Sequence, residues 1–140
     1  MDTFNVETFL KEGTMSNFNE STTESNIVAL LGVPDEIEEY GNRTKYLHYK
    51  GLRFSIFENY LNGVTVFFYD YKIILEGEVI HINENTPLIS FLDLLNKLSL
   101  KWQIPYENSK LDYLSIITSK GVNIYYYFEN GKLIKMNRLW

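Results

Sequence analysis

Two stretches of this chain carry nearly the same pattern 70 residues apart: "GLRFSIFEN" begins at Gly51 and "GVNIYYYFEN" at Gly121. Pro34 and Pro105 stand 71 apart, as do Glu58 and Glu129. The order of expected elements repeats with them. In each half a helix precedes a proline-bearing loop, a strand, a Gly-started strand ending Phe-Glu-Asn, a turn and another strand. A fixed period of this kind constrains a chain to stack one supersecondary unit on another. The expected fold is α+β, with two tandem units, each a helix packed on an antiparallel β-meander. The units fall at approximately residues 20–82 and 85–140 of a single globular domain spanning 1–140.

Local punctuation supplies the elements. Ser21 is the expected N-cap of a short helix, with Glu24 as its capping-box partner, Ile27, Leu30 and Leu31 on one face, and Gly32 and Pro34 as the stop. "DEIEEYGNRTK" reads as a polar loop, "YLHY" and "LRFSIF" as strands, and "ENYLNG" as a turn. "VTVFFYDYKIIL" and "EVIHI" continue as strands, with Gly77 at a break. Thr86 as N-cap and Pro87 at the first helical position open a longer helix reaching about Ser99, its apolar stripe formed by Leu88, Phe91, Leu92, Leu95 and Leu98. "WQIPYENSK" reads as a loop, and "DYLSIIT", "VNIYYYF" and "LIKMNRL" as three strands joined by "SKG" and the hairpin turn "ENGK".

Strand periodicity then raises a question about the aromatic residues. Side chains alternate across a strand, so Val122, Ile124, Tyr126 and Phe128 share one face and Asn123, Tyr125 and Tyr127 the other. In the earlier half Phe67 and Tyr69 alternate with Val66 and Phe68. Each half therefore sets aromatic rings on both faces of a strand. Either the second face is covered, by the other half or by the N-terminal Phe4, Phe9 and Leu10, or it is an exposed aromatic surface of the kind that binds proteins.

Catalytic and metal chemistry finds little to work with. There is no cysteine, which excludes disulfides, zinc thiolates, iron–sulfur clusters and a cysteine nucleophile, and suits a reducing compartment. His48 and His81 sit apart in strand-like runs with no ligand-spaced acid beside them, so no metal or other cofactor is expected. No nucleophile elbow, phosphate loop or dinucleotide fingerprint occurs. Asp35, Glu36, Glu38 and Glu39 cluster, but in a wet loop all four would stay ionised, which fits an acidic docking patch better than acid/base catalysis. The formal charge is −5 and no basic stripe follows a phosphate backbone, which argues against nucleic acid and for a partner with a basic surface. No apolar run is long enough for a membrane span, and the N-terminus has no basic leader with an apolar core, so the chain is expected in the cytoplasm. The expected partner-binding residues are Tyr125, Tyr127, Phe67 and Tyr69, with Asp35, Glu36, Glu38 and Glu39 as a rim; no catalytic residue is expected.

With "LLGVPDE", "YKGLRFSIFENYL" and "LDYLSIITSKGVNIYYYFENGKLIKM", residues 22 to 139 resemble the small immunity proteins that bacteria encode beside polymorphic or contact-dependent toxins. The tandem helix-plus-sheet arrangement is also similar to that of the β-lactamase inhibitory protein, whose concave sheet surface grips an enzyme. That inhibitor relies on disulfides and this chain has none. The resemblance implies a non-catalytic protein that binds and neutralises a cognate protein toxin stoichiometrically. A chaperone or adaptor for a secreted protein would carry the same marks, and a small α+β enzyme with a tyrosine-lined pocket is the third reading.

Overall fold

The computed structural model describes residues 4–105 and 112–140. Its elements follow the chain as α1 (Val6–Glu12), α2 (Glu24–Leu31), β1 (Glu36–Tyr40), β2 (Thr44–Tyr49), β3 (Leu52–Phe57), β4 (Tyr60–Phe67), β5 (Tyr71–Leu75), β6 (Glu78–Ile82), α3 (Leu88–Lys97), β7 (Trp102–Gln103), β8 (Tyr113–Thr118), β9 (Val122–Tyr127) and β10 (Lys132–Leu139). Eight strands form one sheet in the order β1-β2-β3-β4-β10-β9-β8-β7, antiparallel at every joint, and β5 and β6 form a separate hairpin. The α+β class with an antiparallel sheet is therefore as expected.

The helices are set by their caps and apolar spacing. Asn5 caps α1 by accepting from the Thr8 N–H, and the helix buries Val6, Phe9 and Leu10. The expected cap of α2 is displaced by two residues: Thr23, not Ser21, accepts from the Asn26 N–H, and the Asn26 side chain closes the box in return. Ile27 is buried, whereas Leu30 is exposed. At α3 the cap position belongs to Pro87. Thr86 turns back to accept from the Asn83 N–H instead of capping the helix.

All three helices lie on one side of the sheet. Tyr49 donates to the Gly32 carbonyl at the end of α2. Phe68 meets Phe91 of α3 edge-on, and Trp102 donates to Asn96 of the same helix. The C-terminal end of α1 reaches the β8–β9 turn, where a Cβ on Gly13 would stand only 2.5 Å from the Lys120 carbonyl oxygen. The core between these layers takes Leu47, Leu52, Phe54, Ile56, Val64, Val66, Ile116, Val122, Ile124 and Met136 from the sheet.

Three strand assignments differ from expectation. "ENYLNG" holds only a two-residue turn, Glu58 and Asn59, both at positive φ, and Tyr60 already begins β4. "EIEEY", Glu36–Tyr40, is the edge strand β1 and not a loop: it pairs in register with β2, from Glu36 opposite His48 to Tyr40 opposite Thr44. Backbone pairing with β2 overrode the polar composition. Trp102 and Gln103 likewise pair with β8, although the segment 102–110 reads as a loop; residues 106–110 lie outside the described residues.

β4 and β10 meet with matched irregularities. Each carries a bulge against its hairpin partner, at Asn62 between the Ser55–Gly63 and Ile56–Leu61 pairs, and at Ile134 between the Tyr126–Leu133 and Tyr125–Lys135 pairs. One extra residue reverses which later side chains face the core. Across the β4–β10 joint, Thr65 stands opposite Asn137.

Where β4 leaves the sheet, Tyr71 donates to the Phe67 carbonyl and its ring meets Phe4. Burial pushes its hydroxyl up to about 12. A folded-state value above the ordinary tyrosine value of about 10 stabilises the fold fully below about pH 10 and is lost as pH rises through about 12. Urea midpoints measured from pH 9 to 12 should therefore fall more steeply for the native chain than for Tyr71→Phe. Identical slopes would mean that Tyr71 is not held protonated by the fold.

Candidate docking face

The side of the sheet opposite the helices is built in rows. The central row crosses all eight strands as Glu36, His48, Arg53, Thr65, Asn137, Asn123, Ile117 and Gln103. It is polar nearly throughout. On one flank run Glu38, Tyr46, Ser55, Gly63 and Leu139; on the other run Phe67, Lys135, Tyr125 and Ser115. Further out, Tyr40, Thr44, Phe57 and Tyr60 make one end, and Lys132, Tyr127 and Tyr113 the other.

The aromatic rings on this face organise its charges. The Arg53 guanidinium lies 5.1 Å from the Tyr46 ring centroid and 5.7 Å from that of Phe67, and the Lys135 ammonium lies 5.3 Å from that of Tyr125. Tyr113 stacks on Tyr127 and meets Tyr125 edge-on, at 5.8 and 5.7 Å between centroids. At the opposite end Tyr40, Phe57 and Tyr60 are 56%, 43% and 51% exposed, an apolar margin that nothing among the described residues covers.

The residues singled out from sequence divide. Phe67, Tyr125 and Tyr127 come together here, all partly exposed, so the second face is not sealed by the N-terminal segment, whose Phe9 and Leu10 enter the core on the helical side. Tyr69 does not join them. β4 ends at Phe67, and Tyr69 leaves the sheet to lie against Gly51. Phe128, assigned with the core residues of its strand, is past the end of β9 and exposed. The acids split: Glu36 and Glu38 belong to this face, while Glu39 borders a groove on the helical side with Glu24 and Lys45. Asp35 precedes β1, its N–H bonded to the His48 carbonyl.

Glu38 is tied in more closely than a solvated acid would be. Its carboxylate accepts from the Tyr40 hydroxyl at 2.5 Å and lies 2.5 Å from His48 Nε2. The Tyr40 hydrogen bond, then His48 and the more distant Arg53 charge, hold it below the usual carboxylate range. The carboxylate partners of both histidines come from other strands or loops, Glu38 for His48 and Asp70 for His81, which spacing along the chain could not reveal. Among the described residues no cluster of three or more His, Asp or Glu side chains could hold a metal ion. No helix among them is long and apolar enough to cross a membrane.

Arg53, Tyr46 and Lys135 were missed by the sequence reading. Arg53 was available from alternation in "LRFSIF", because Leu52, Phe54 and Ile56 take the core face and leave Arg53 to the other. Lys135 was not, because the bulge at Ile134 shifts the alternation of β10 by one residue.

Ser115 also lies on this face but is fully buried beneath its neighbours, its hydroxyl without a hydrogen-bond partner. Removing an unpaired buried hydroxyl costs no protein–protein bond. Ser115→Ala should leave the unfolding free energy unchanged or raise it by up to about 1 kcal/mol in urea denaturation. A loss of that size would show that the hydroxyl has a partner.

Fold and face together define an α+β protein with an eight-stranded antiparallel sheet, packed by helices on one side and open on the other, and a separate two-stranded hairpin. No protein-family model, curated protein or solved structure matches the chain.

Proposed function

We propose that this chain is a non-catalytic binding protein of the immunity type, which holds a cognate protein toxin against the open face of its sheet and neutralises it in a fixed ratio. The observation that carries the reading is the open face itself. It presents partly exposed tyrosines and phenylalanines around an arginine already held between two rings, the side chains most often found at the energetic centre of protein interfaces. The acids of β1 line one margin and favour encounter with a basic region of the partner. The same acids, on an edge strand, oppose pairing of that edge with another sheet, which keeps the molecule available to its partner. The lack of cysteine supports a cytoplasmic site of action.

The tandem architecture belongs to the same proposal. Its support is the β4–β10 joint, where the matched bulges and the Thr65–Asn137 pair are what a two-fold relation between two meanders would produce. The β5–β6 hairpin then lies within the first unit, beyond its meander.

The test is titration. Co-expressed with the C-terminal domain of whichever large secreted protein its neighbouring gene encodes, the chain should co-purify with that domain and rescue growth. Activity of the purified toxin should fall linearly with added chain to an end point at a small whole-number ratio. A chain that clears a molar excess of toxin over time is an enzyme, and the reading fails.

A further inference from the structure

At the centre of the open face two cations stand without a carboxylate in salt-bridge contact. Arg53 is fixed over Tyr46 and Phe67, and Lys135, directly across the ladder from Phe67, lies over Tyr125. Neither forms an ion pair among the described residues. Glu38, the acid whose carboxylate feels the Arg53 charge, is engaged by Tyr40 and His48. Burial, and then the Arg53 charge, hold Lys135 below the ordinary lysine range, so the two like charges are costly together in the free protein and an arriving anion would relieve that cost. Asn137, two residues along β10 on this face, has its Oδ1 enclosed without a hydrogen-bond partner.

We propose that Arg53 and Lys135 receive the carboxylate of an Asp or Glu side chain projecting from the docked protein partner. The inference rests on the docking reading above and adds the chemistry at the centre of contact. A guanidinium fork positioned by the Tyr46 and Phe67 rings suits a planar carboxylate. The acids at the β1 margin and the net charge of −5 disfavour a phosphate polyanion. The fitting partner thus offers one acidic side chain inside a basic surround, the basic part meeting Glu36 and Glu38.

Amide NMR titrations at low salt test this with four probes: a capped Gly-Glu-Tyr-Glu-Gly peptide, its Gln-for-Glu and Lys-for-Glu counterparts, and inorganic phosphate. The Glu peptide should give saturable shifts at Arg53, Thr65, Lys135 and Asn137. It should bind at least about five-fold more tightly than the Gln peptide, a difference expected of charge-assisted bonds. Arg53→Gln and Lys135→Gln should each erase most of that preference, whereas Lys72→Gln on the distant hairpin should leave it intact. Equal binding of the Glu and Gln peptides, no saturable shift at these four residues, or phosphate binding there as tightly as the Glu peptide would overturn the proposal. If the Lys peptide alone shifts this face, the carboxylate seat is wrong while the docking face stands. If the peptides shift only the helical side, both readings fall.

Discussion

Phe54→Ala should lower the unfolding free energy by about 3–5 kcal/mol, the range for removing a buried phenylalanine from a close-packed core. Phe54 is fully buried at the middle of β3, with Leu47 and Val64 opposite it on the neighbouring strands. Its ring meets Phe18 at 5.9 Å and Tyr49 at 5.7 Å, and Tyr49 in turn holds the end of α2 through Gly32. The truncation therefore removes apolar surface and also the edge-on contacts that seat the segment before α2. Those neighbours are anchored by backbone pairing and cannot collapse fully into the space, so a cavity term adds to the lost transfer energy. Phe54→Leu keeps most of the volume and should cost about half as much or less. Urea denaturation with a shared slope measures both. A Phe54→Ala cost below about 1 kcal/mol would show that this strand does not sit over the core.

The same strand shows what could be read in advance and what could not. "LRFSIF" alternates cleanly, and both its core residues and its outward-facing arginine follow from the period of two. β4 and β10 are different, because each holds a bulge that no composition marks, and beyond it the alternation counts from a new origin. That is why Lys135 escaped the sequence reading, whereas Tyr69, apparently in phase with Phe67, is not on the face because β4 ends at Phe67. β1 was hidden for another reason. Its acids have low strand propensity, and only the hydrogen-bonding edge offered by β2 draws them into the sheet. The helix at residues 6–12 had a cap and an apolar face, but the segment is short enough that packing on the sheet and not intrinsic propensity holds it. The aromatic alternation of β9, by contrast, was legible: Tyr125 and Tyr127 reach the open face and Ile124 the core, as the period demands.

Tyr125→Ala should weaken binding of the cognate partner by about 2 kcal/mol or more, roughly thirty-fold in Kd, while leaving the protein folded. The ring is partly exposed in the free chain, so its loss opens no deep cavity, and its aromatic neighbour Tyr113 retains the stack with Tyr127. In a complex it would be covered entirely, at a place where Lys135 lies over its face and Phe67 stands two strands away in the same row. Truncation would strip apolar area and leave the Lys135 ammonium without the ring that positions it, so the loss should fall on the dissociation rate. Tyr125→Phe keeps the ring and should recover most of the affinity. Glu36→Gln at the margin should act differently, slowing association and flattening its salt dependence with little change in dissociation, because a solvated edge charge steers encounter more than it holds the bound state. Kinetics of the two variants, measured across a range of salt concentrations, separate these effects. If Tyr125→Ala dissociates from the partner as slowly as the native chain, the partner does not dock on the open face of the sheet.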